Sequence, residues 1–214
     1  MITEKTFLED LDRVARNSLQ KRQPEKILFK YYKDLWDSLK KTACTSAGFT
    51  GVSEYLFFRA IVFKLETETG EKFEAKPVTT DTRKLASKSM TITRDVNLQH
   101  INSKLPQMRT DIAVFKNFGD IRKLVAAMEL KLYISSPGVL ANMFKRLESL
   151  TDQTDSLVFS ILWSTQYREE INRFYEKLPG RYYVIANETG AYSDNEQIDL
   201  WEAVDIILKK LRET

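Results

Sequence analysis

The chain has 214 residues, of which 43% are hydrophobic and 29% are charged, and its formal net charge is +3. That composition is typical of a globular protein, and no run approaches the ~18 consecutive apolar residues of a membrane span. The single cysteine and single histidine exclude an internal disulfide framework, a cysteine-rich zinc module and any site that needs two histidines.

The N-terminal third predicts three helices. The opening stretch MITEKTFLEDLDRV has no basic region followed by an apolar run, so we expect no signal peptide and a cytoplasmic location. Apolar residues recur at helical spacing over roughly 3–22 and 25–43. A third helix, SEYLFFRAIVFKLE, begins after TSAGFTG with Ser53 as its N-cap, and it is apolar almost all round. We therefore expect a helical extension, 1–52, packed on a core of 53–214, with a single domain overall.

The middle of the chain, 69–108, is polar and has little periodicity. We expect irregular structure there, with one short helix near 94–103. A long stretch of this kind inside a compact domain tends to be functional.

The strand signals follow. TDIAVF (110–115) and IRKLVAAMELKLYI (121–134) flank the turn-like KNFGD, which predicts a hairpin. Helices and strands then alternate, which favours an α/β fold with a mixed central β-sheet flanked by helices and right-handed crossovers. These later elements are a helix at 139–150, a strand at 156–164, a helix at 167–178, a strand at 181–186 and a helix at 196–211.

Charge is unevenly distributed along the chain. Residues 72–109 contain eight Lys or Arg against three acids, whereas 188–214 contain three against seven. Such asymmetry predicts a basic face for a polyanion. His100, in the polar stretch NLQHINSK, is expected to be an ordinary surface or loop residue. The candidate phosphate contacts in the basic segment are Arg83, Lys84, Lys88, Arg94, Lys104 and Arg109.

One apolar run, MELKLYIS at 128–135, carries the charged pair Glu129 and Lys131. On a strand these two side chains project from one face, and the predicted hairpin brings Asp111 beside Glu129. Two carboxylates this close repel unless a cation lies between them. Mg²⁺ suits the position because it takes oxygen ligands, keeps several waters and bridges to phosphate. The seven glycines form neither GxxxxGK[ST] nor GxGxxG, so we expect no nucleotide cofactor.

The pattern D-x17-E-x-K on a hairpin, with a helix before and after it, resembles the PD-(D/E)XK nuclease superfamily over about residues 53–165. Thr110 stands where that pattern has proline. The resemblance implies a restriction-endonuclease-like fold, a Mg²⁺ cofactor and catalytic roles for Asp111, Glu129 and Lys131.

The resemblance also implies further site residues. A glutamate on the preceding helix often completes the metal site in that superfamily, and Glu54 is the matching residue, ahead of Glu66 and Glu68. Asp111, Glu129 and Glu54 would then be the metal ligands. Lys145 and Arg146, on the helix after the E-x-K strand, are expected to face a phosphate backbone.

A second acid-x-lysine triplet, Glu74-Ala75-Lys76, has no apolar strand and no strand-leading aspartate upstream, so it serves as an internal control. The alternative interpretation of the first triplet is that Glu129 and Lys131 form only a salt bridge on a partly exposed sheet face. We expect a Mg²⁺-dependent endonuclease acting on double-stranded DNA as a homodimer, most like a type II restriction endonuclease. A repair or junction nuclease of the same fold, and a non-catalytic module that retains the fold, are the alternatives.

Overall fold

The computed structural model describes residues 4–39, 46–75, 83–132, 136–163, 168–187 and 197–214. Within these ranges, six strands form one mixed sheet whose spatial order follows the sequence. The first four strands are antiparallel neighbours, whereas β4, β5 and β6 are parallel. The predicted α/β fold with a mixed central sheet is confirmed. The strands are β1 (Lys84–Ala86), β2 (Met90–Asn97), β3 (Arg109–Phe118), β4 (Ile121–Lys131), β5 (Leu157–Leu162) and β6 (Tyr182–Ala186).

Helices cover both faces of the sheet. Apolar residues of α1, α2, α3 and α6 share one core cluster with one face of the sheet, and those of α4 and α5 share a second cluster with the other face. No helix in the described ranges is long and apolar enough to cross a membrane. The helices are α1 (Glu4–Ser18), α2 (Pro24–Leu39), α3 (Ser46–Thr69), α4 (Pro137–Gln153), α5 (Arg168–Lys177) and α6 (Leu200–Glu213).

The predicted start of the third helix is wrong. Ser53 is not an N-cap, because α3 begins at Ser46 and runs without a break across the expected division between residues 52 and 53. Glycine weakens a helix only modestly, and tertiary packing outweighs that cost here. The Phe49 ring packs on Trp36 of α2 with the ring centroids 5.0 Å apart.

The expectation of irregular structure over 69–108 is wrong for the residues of β1 and β2, and residues 76–82 of that stretch lie outside the described ranges. β1 and β2 lie there, and β2 pairs with β3 from Met90 to Asn97. The backbone hydrogen bonds of β2 are made with β3, which is distant in sequence. Local periodicity does not reveal such pairing. The short helix expected near 94–103 is a single 3₁₀ turn, Leu98–His100.

The hairpin and the later elements lie where they were predicted, with shifts of a few residues at their ends. One irregularity interrupts the hairpin, where the register of β3 and β4 shifts between Val114 and Phe115. The ends of several predicted elements lie outside the described residues: 3, 40–43, 133–134, 164, 167 and 196.

Candidate active site

The β-bulge in the hairpin decides which residue of β4 faces Asp111. Near the turn, Phe118 pairs with Ile121, and that register, if continued, would set Asp111 against Met128. One extra residue on β4 shifts the pairing, so that Ile112 faces Met128. Extending that register one residue beyond the last pair sets Asp111 opposite Glu129, so the two carboxylates project from the same face of neighbouring strands.

Thr110, which stands where the nuclease pattern has proline, secures this end of the hairpin. It is buried, and its hydroxyl donates a hydrogen bond to the Met128 carbonyl at 3.1 Å. The backbone N–H of Leu130 donates to Asp111 Oδ2 at 2.6 Å. These contacts on either side of Glu129 fix the relative positions of the strands, so proline is not needed here for that purpose.

Glu129 is a charged side chain with no exposure to solvent. Its Oε2 accepts hydrogen bonds from Lys131 Nζ at 3.3 Å and from Arg146 Nη2 of α4. Its Oε1 is buried and has no hydrogen-bond partner in the described parts of the chain. Burial, and next the Asp111 carboxylate, raise the pKa of Glu129 to about 7, against the opposing pull of Lys131 and Arg146.

Lys131 joins the two acids. Its Nζ lies 3.7 Å from Asp111 Oδ2 as well as 3.3 Å from Glu129 Oε2, and it donates to the Leu130 carbonyl at 3.0 Å. The predicted convergence of Asp111, Glu129 and Lys131 is therefore observed. The alternative interpretation is observed only in part, because the Glu129–Lys131 ion pair exists but its carboxylate is completely buried.

Glu54 approaches the same group from α3. Its side chain is 8% exposed, and it makes no hydrogen bond or ion pair with the rest of the described chain. Burial, then the charges of Asp111 and Asp95, raise the pKa of Glu54 to about 7, while Arg94 and Lys131 oppose that shift. The helix–strand packing thus brings a third carboxyl group into the electrostatic reach of Asp111.

Glu66 and Glu68, the weaker candidates, lie elsewhere. Glu66 Oε1 accepts a hydrogen bond from the backbone of Phe73 at 3.0 Å. Glu68 Oε1 pairs with Lys64 on the same helix at 2.6 Å. Both carboxylates have these partners near the C-terminal end of α3, away from Asp111. Glu54 is therefore the only one of the three glutamates that joins the site.

Asp95 is a neighbour of the site that the sequence did not indicate. It lies within β2 yet has a φ of +49°, a conformation that is unfavourable for residues with a Cβ. Arg109 Nε and Nη2 bind its two oxygens at 2.6 and 2.8 Å. Backbone strain of this kind clusters near functional sites. Asp adopts a positive φ more readily than most residues, but nothing else in TITRDVN distinguishes Asp95 from a polar residue of a regular strand.

The site suits a hard cation only in part. No group of three His, Cys, Asp or Glu side chains in the described ranges is close enough to hold a metal ion. Two carboxylates, Asp111 and Glu129, both contact Lys131, and Glu129 Oε1, which has no partner within the described ranges, is an available oxygen. Mg²⁺ is commonly held by one or two carboxylates and several waters. The residues therefore fit an ion bound by Asp111 and Glu129, with Glu54 beside it.

The predicted phosphate contacts occupy different environments. Lys88, Lys104 and Lys145 are exposed, whereas Arg94 is half-buried and its guanidinium lies over the Tyr55 ring, 5.4 Å from the ring centroid. Arg146 is bound to Glu129. Arg83, Lys84 and Arg109 lie at or beside the starts of β1 and β3, and Lys76, the lysine of the control triplet, lies outside the described residues.

Comparisons with known proteins add no relative. The chain matches no protein-family model, and a search of curated proteins finds no significant match.

Proposed function

We propose that the protein is a Mg²⁺-dependent endonuclease that hydrolyses phosphodiester bonds in double-stranded DNA. The observation that carries the proposal is that Lys131 contacts both Asp111 and Glu129, while one buried oxygen of Glu129 has no hydrogen-bond partner among the described residues. A buried carboxylate without a full set of partners is costly. Such a cost is expected where a ligand completes the site.

Each side chain has a distinct task in this proposal. Asp111 and Glu129 hold the ion, and Leu130 N–H fixes the orientation of the Asp111 carboxylate. When bound, Mg²⁺ supplies an activated water and positive charge beside the leaving oxygen. Lys131 Nζ, held between the two acids, is placed to orient the attacking water or to stabilise charge on the phosphate. Glu54, with a pKa of about 7, is suited to take up or release a proton near neutral pH.

The biological role that we propose is sequence-specific restriction by a cytoplasmic homodimer. A two-fold symmetric dimer provides one site for each strand of a palindromic duplex. Repair and junction cleavage use the same chemistry and remain alternatives within this proposal.

A second candidate is a non-catalytic binding module that retains the nuclease fold. It is favoured by the two ion pairs of Glu129, because Lys131 and Arg146 already neutralise that carboxylate without a metal. The two candidates differ in one respect, which is whether the carboxylates are needed for cleavage.

Plasmid cleavage separates the candidates. The wild-type protein should cut plasmid DNA with Mg²⁺ and leave it intact in EDTA. Glu129→Gln should lose cleavage because it removes a metal-binding charge. Glu74→Gln, an equal change at the exposed Glu74 of the control triplet, should cut as the wild type does. Intact plasmid with all three proteins would favour the binding module.

Lys131→Met tests the role of the lysine separately. It should bind Mg²⁺ at least as tightly as the wild type, because a nearby positive charge is gone. Single-turnover cleavage should fall by about 10²-fold, the usual scale for losing a group that stabilises the transition state. Normal cleavage by this variant would reduce Lys131 to a salt-bridge partner.

A further inference from the structure

The two cations that bind Glu129 are held in different ways. Lys131 lies on the same strand and contacts Asp111 and the Leu130 carbonyl as well as Glu129. Arg146 reaches Glu129 from α4, and 45% of its side chain is exposed to solvent. Among the residues that the structure describes, Glu129 is its only ion-pair or hydrogen-bond partner. Lys131 is therefore fixed, whereas Arg146 can withdraw into water at small cost.

Charge balance makes the binding of Arg146 and the binding of a metal ion at Glu129 mutually exclusive. Two adjacent carboxylates, Asp111 and Glu129, are matched by two cations, Lys131 and Arg146. Adding a doubly charged ion while both cations remain seated would place four positive charges against these acids, and the repulsion at such distances is strong in a partly buried site. Withdrawal of the exposed Arg146 removes one positive charge and relieves that repulsion.

We propose that Arg146 is a built-in counter-ion that holds Glu129 in the metal-free protein and leaves it when the metal ion binds. Arg146 is thus a positioning residue, and the inference rests on the proposed function because it concerns the same metal ion. Once released, its guanidinium lies at the rim of the site, where its planar donors suit a phosphate group. The phosphate contact predicted for Arg146 would then belong to the metal-bound state alone.

Metal affinity in the absence of DNA is the first test. Isothermal titration with Mg²⁺ should give about tenfold tighter binding for Arg146→Met than for the wild type, because a competitor worth about one charge-assisted hydrogen bond is gone. Arg146→Lys, which keeps a cation there, should stay near the wild type. Lys145→Met is the matched control, since Lys145 is the exposed neighbouring cation on α4. Equal affinities for Arg146→Met and Lys145→Met would overturn the inference.

Thermal stability provides a readout that a purely structural ion pair would not give. In EDTA, Arg146→Met should melt at a lower temperature than the wild type, because Glu129 loses a partner. In saturating Mg²⁺ the difference should disappear, since the wild-type Arg146 is then in solvent. A deficit that persists in Mg²⁺ would identify a permanent structural pair. If Arg146→Met does not fold in EDTA, Arg146→Gln, which keeps a hydrogen-bond donor, takes its place in both measurements.

The outcomes separate the inference from the proposed function. A wild-type protein that neither binds Mg²⁺ nor cuts plasmid DNA ends both. A wild-type protein that does both, with unchanged affinity in Arg146→Met, ends only the exchange of Arg146 for the metal.

Discussion

Glu54 carries a proton at pH values where an ordinary glutamate is ionised, and this couples the folding stability to pH. Its pKa rises from 4.5 in the unfolded chain to about 7 in the fold because of burial and the nearby acids. The resulting contribution to stability is complete below pH 4.5 and is lost as the pH rises through 7. Without metal, the free energy of unfolding should therefore fall across that window.

The Glu54→Gln variant should weaken this dependence, because an amide does not titrate, whereas Glu129, whose pKa is also raised to about 7, still does. At pH 8 in EDTA it should be more stable than the wild type by on the order of 2–3 kcal/mol, and its pH profile should be flatter. Urea denaturation at a series of pH values measures both. Glu68→Gln, on the more exposed end of the same helix, is the control, and its profile should run parallel to that of the wild type.

Asp95 offers a test of backbone strain beside the site. Its φ of +49° is accessible to glycine without penalty but is costly for alanine. Asp95→Gly should therefore be more stable than Asp95→Ala by about 1 kcal/mol, although both lose the pair with Arg109. At Val96, which has no positive φ, the order should reverse, with the glycine variant less stable. An Asp95→Ala variant at least as stable as Asp95→Gly would show that Asp95 is unstrained.

At the scale of elements, the N-terminus of α6 is held by a capping box. Asp199 accepts hydrogen bonds from Trp201 N and Glu202 N, both at 2.8 Å, while Glu202 Oε2 accepts from Asp199 N at 2.8 Å. Buried Glu25 of α2 adds a contact from Leu200 N at 3.2 Å. These acceptors satisfy backbone donors that the helix itself leaves unpaired.

Asp199→Ala should therefore lower the free energy of unfolding by about 1 kcal/mol, the usual cost of losing an N-cap. Asp205→Ala is the matched control, because Asp205 is exposed in the middle of the same helix. There the change should be neutral or slightly stabilising, since alanine is the better helix former. Chemical denaturation of both variants at one pH compares them directly.

The elements that sequence reasoning identified are those whose signal is local. The helices α4, α5 and α6 and the strands β3 to β6 have periodicity or apolar runs bounded by turn residues. β1 and β2 were missed because their stability comes from pairing with other strands: β2 pairs with β3, and β1 pairs with β2. The start of α3 was misplaced because packing of Phe49 outweighs the glycine signal nearby.

The residues of the site also divide into those with a local sequence signal and those without one. The spacing of Glu129 and Lys131 reveals a shared face without further information, and the hairpin supplies Asp111. The β-bulge was invisible, because the run LVAAM (124–128) is apolar on both faces and shows no break in alternation. Arg146 reaches Glu129 through the packing of α4 on the sheet, which no sequence spacing encodes.

At the scale of the whole molecule, the uneven distribution of charge predicts which part of the surface binds DNA. Lys88 and Lys104 are exposed on the basic segment, and Lys209 is exposed on the acidic C-terminal helix. If the basic segment faces DNA, each phosphate contact removed should lower the slope of log K against log salt by about 0.9. Lys88→Ala and Lys104→Ala should show this change with a short duplex in EDTA, whereas Lys209→Ala should not. If all three variants keep the slope of the wild type, the DNA does not contact the basic segment at Lys88 and Lys104.

The packing of α6 has a consequence for the order in which the protein is made. Leu200, Val204 and Ile207 belong to the same core cluster as Met128 and Leu130, the residues on either side of Glu129. Translation proceeds from the N-terminus, and α6 lies far downstream of β4 in the sequence. A nascent chain on the ribosome therefore has the E-x-K strand long before it has the helix that buries the back of that strand. A finished site, and any cleavage it performs, must wait until α6 has emerged and docked.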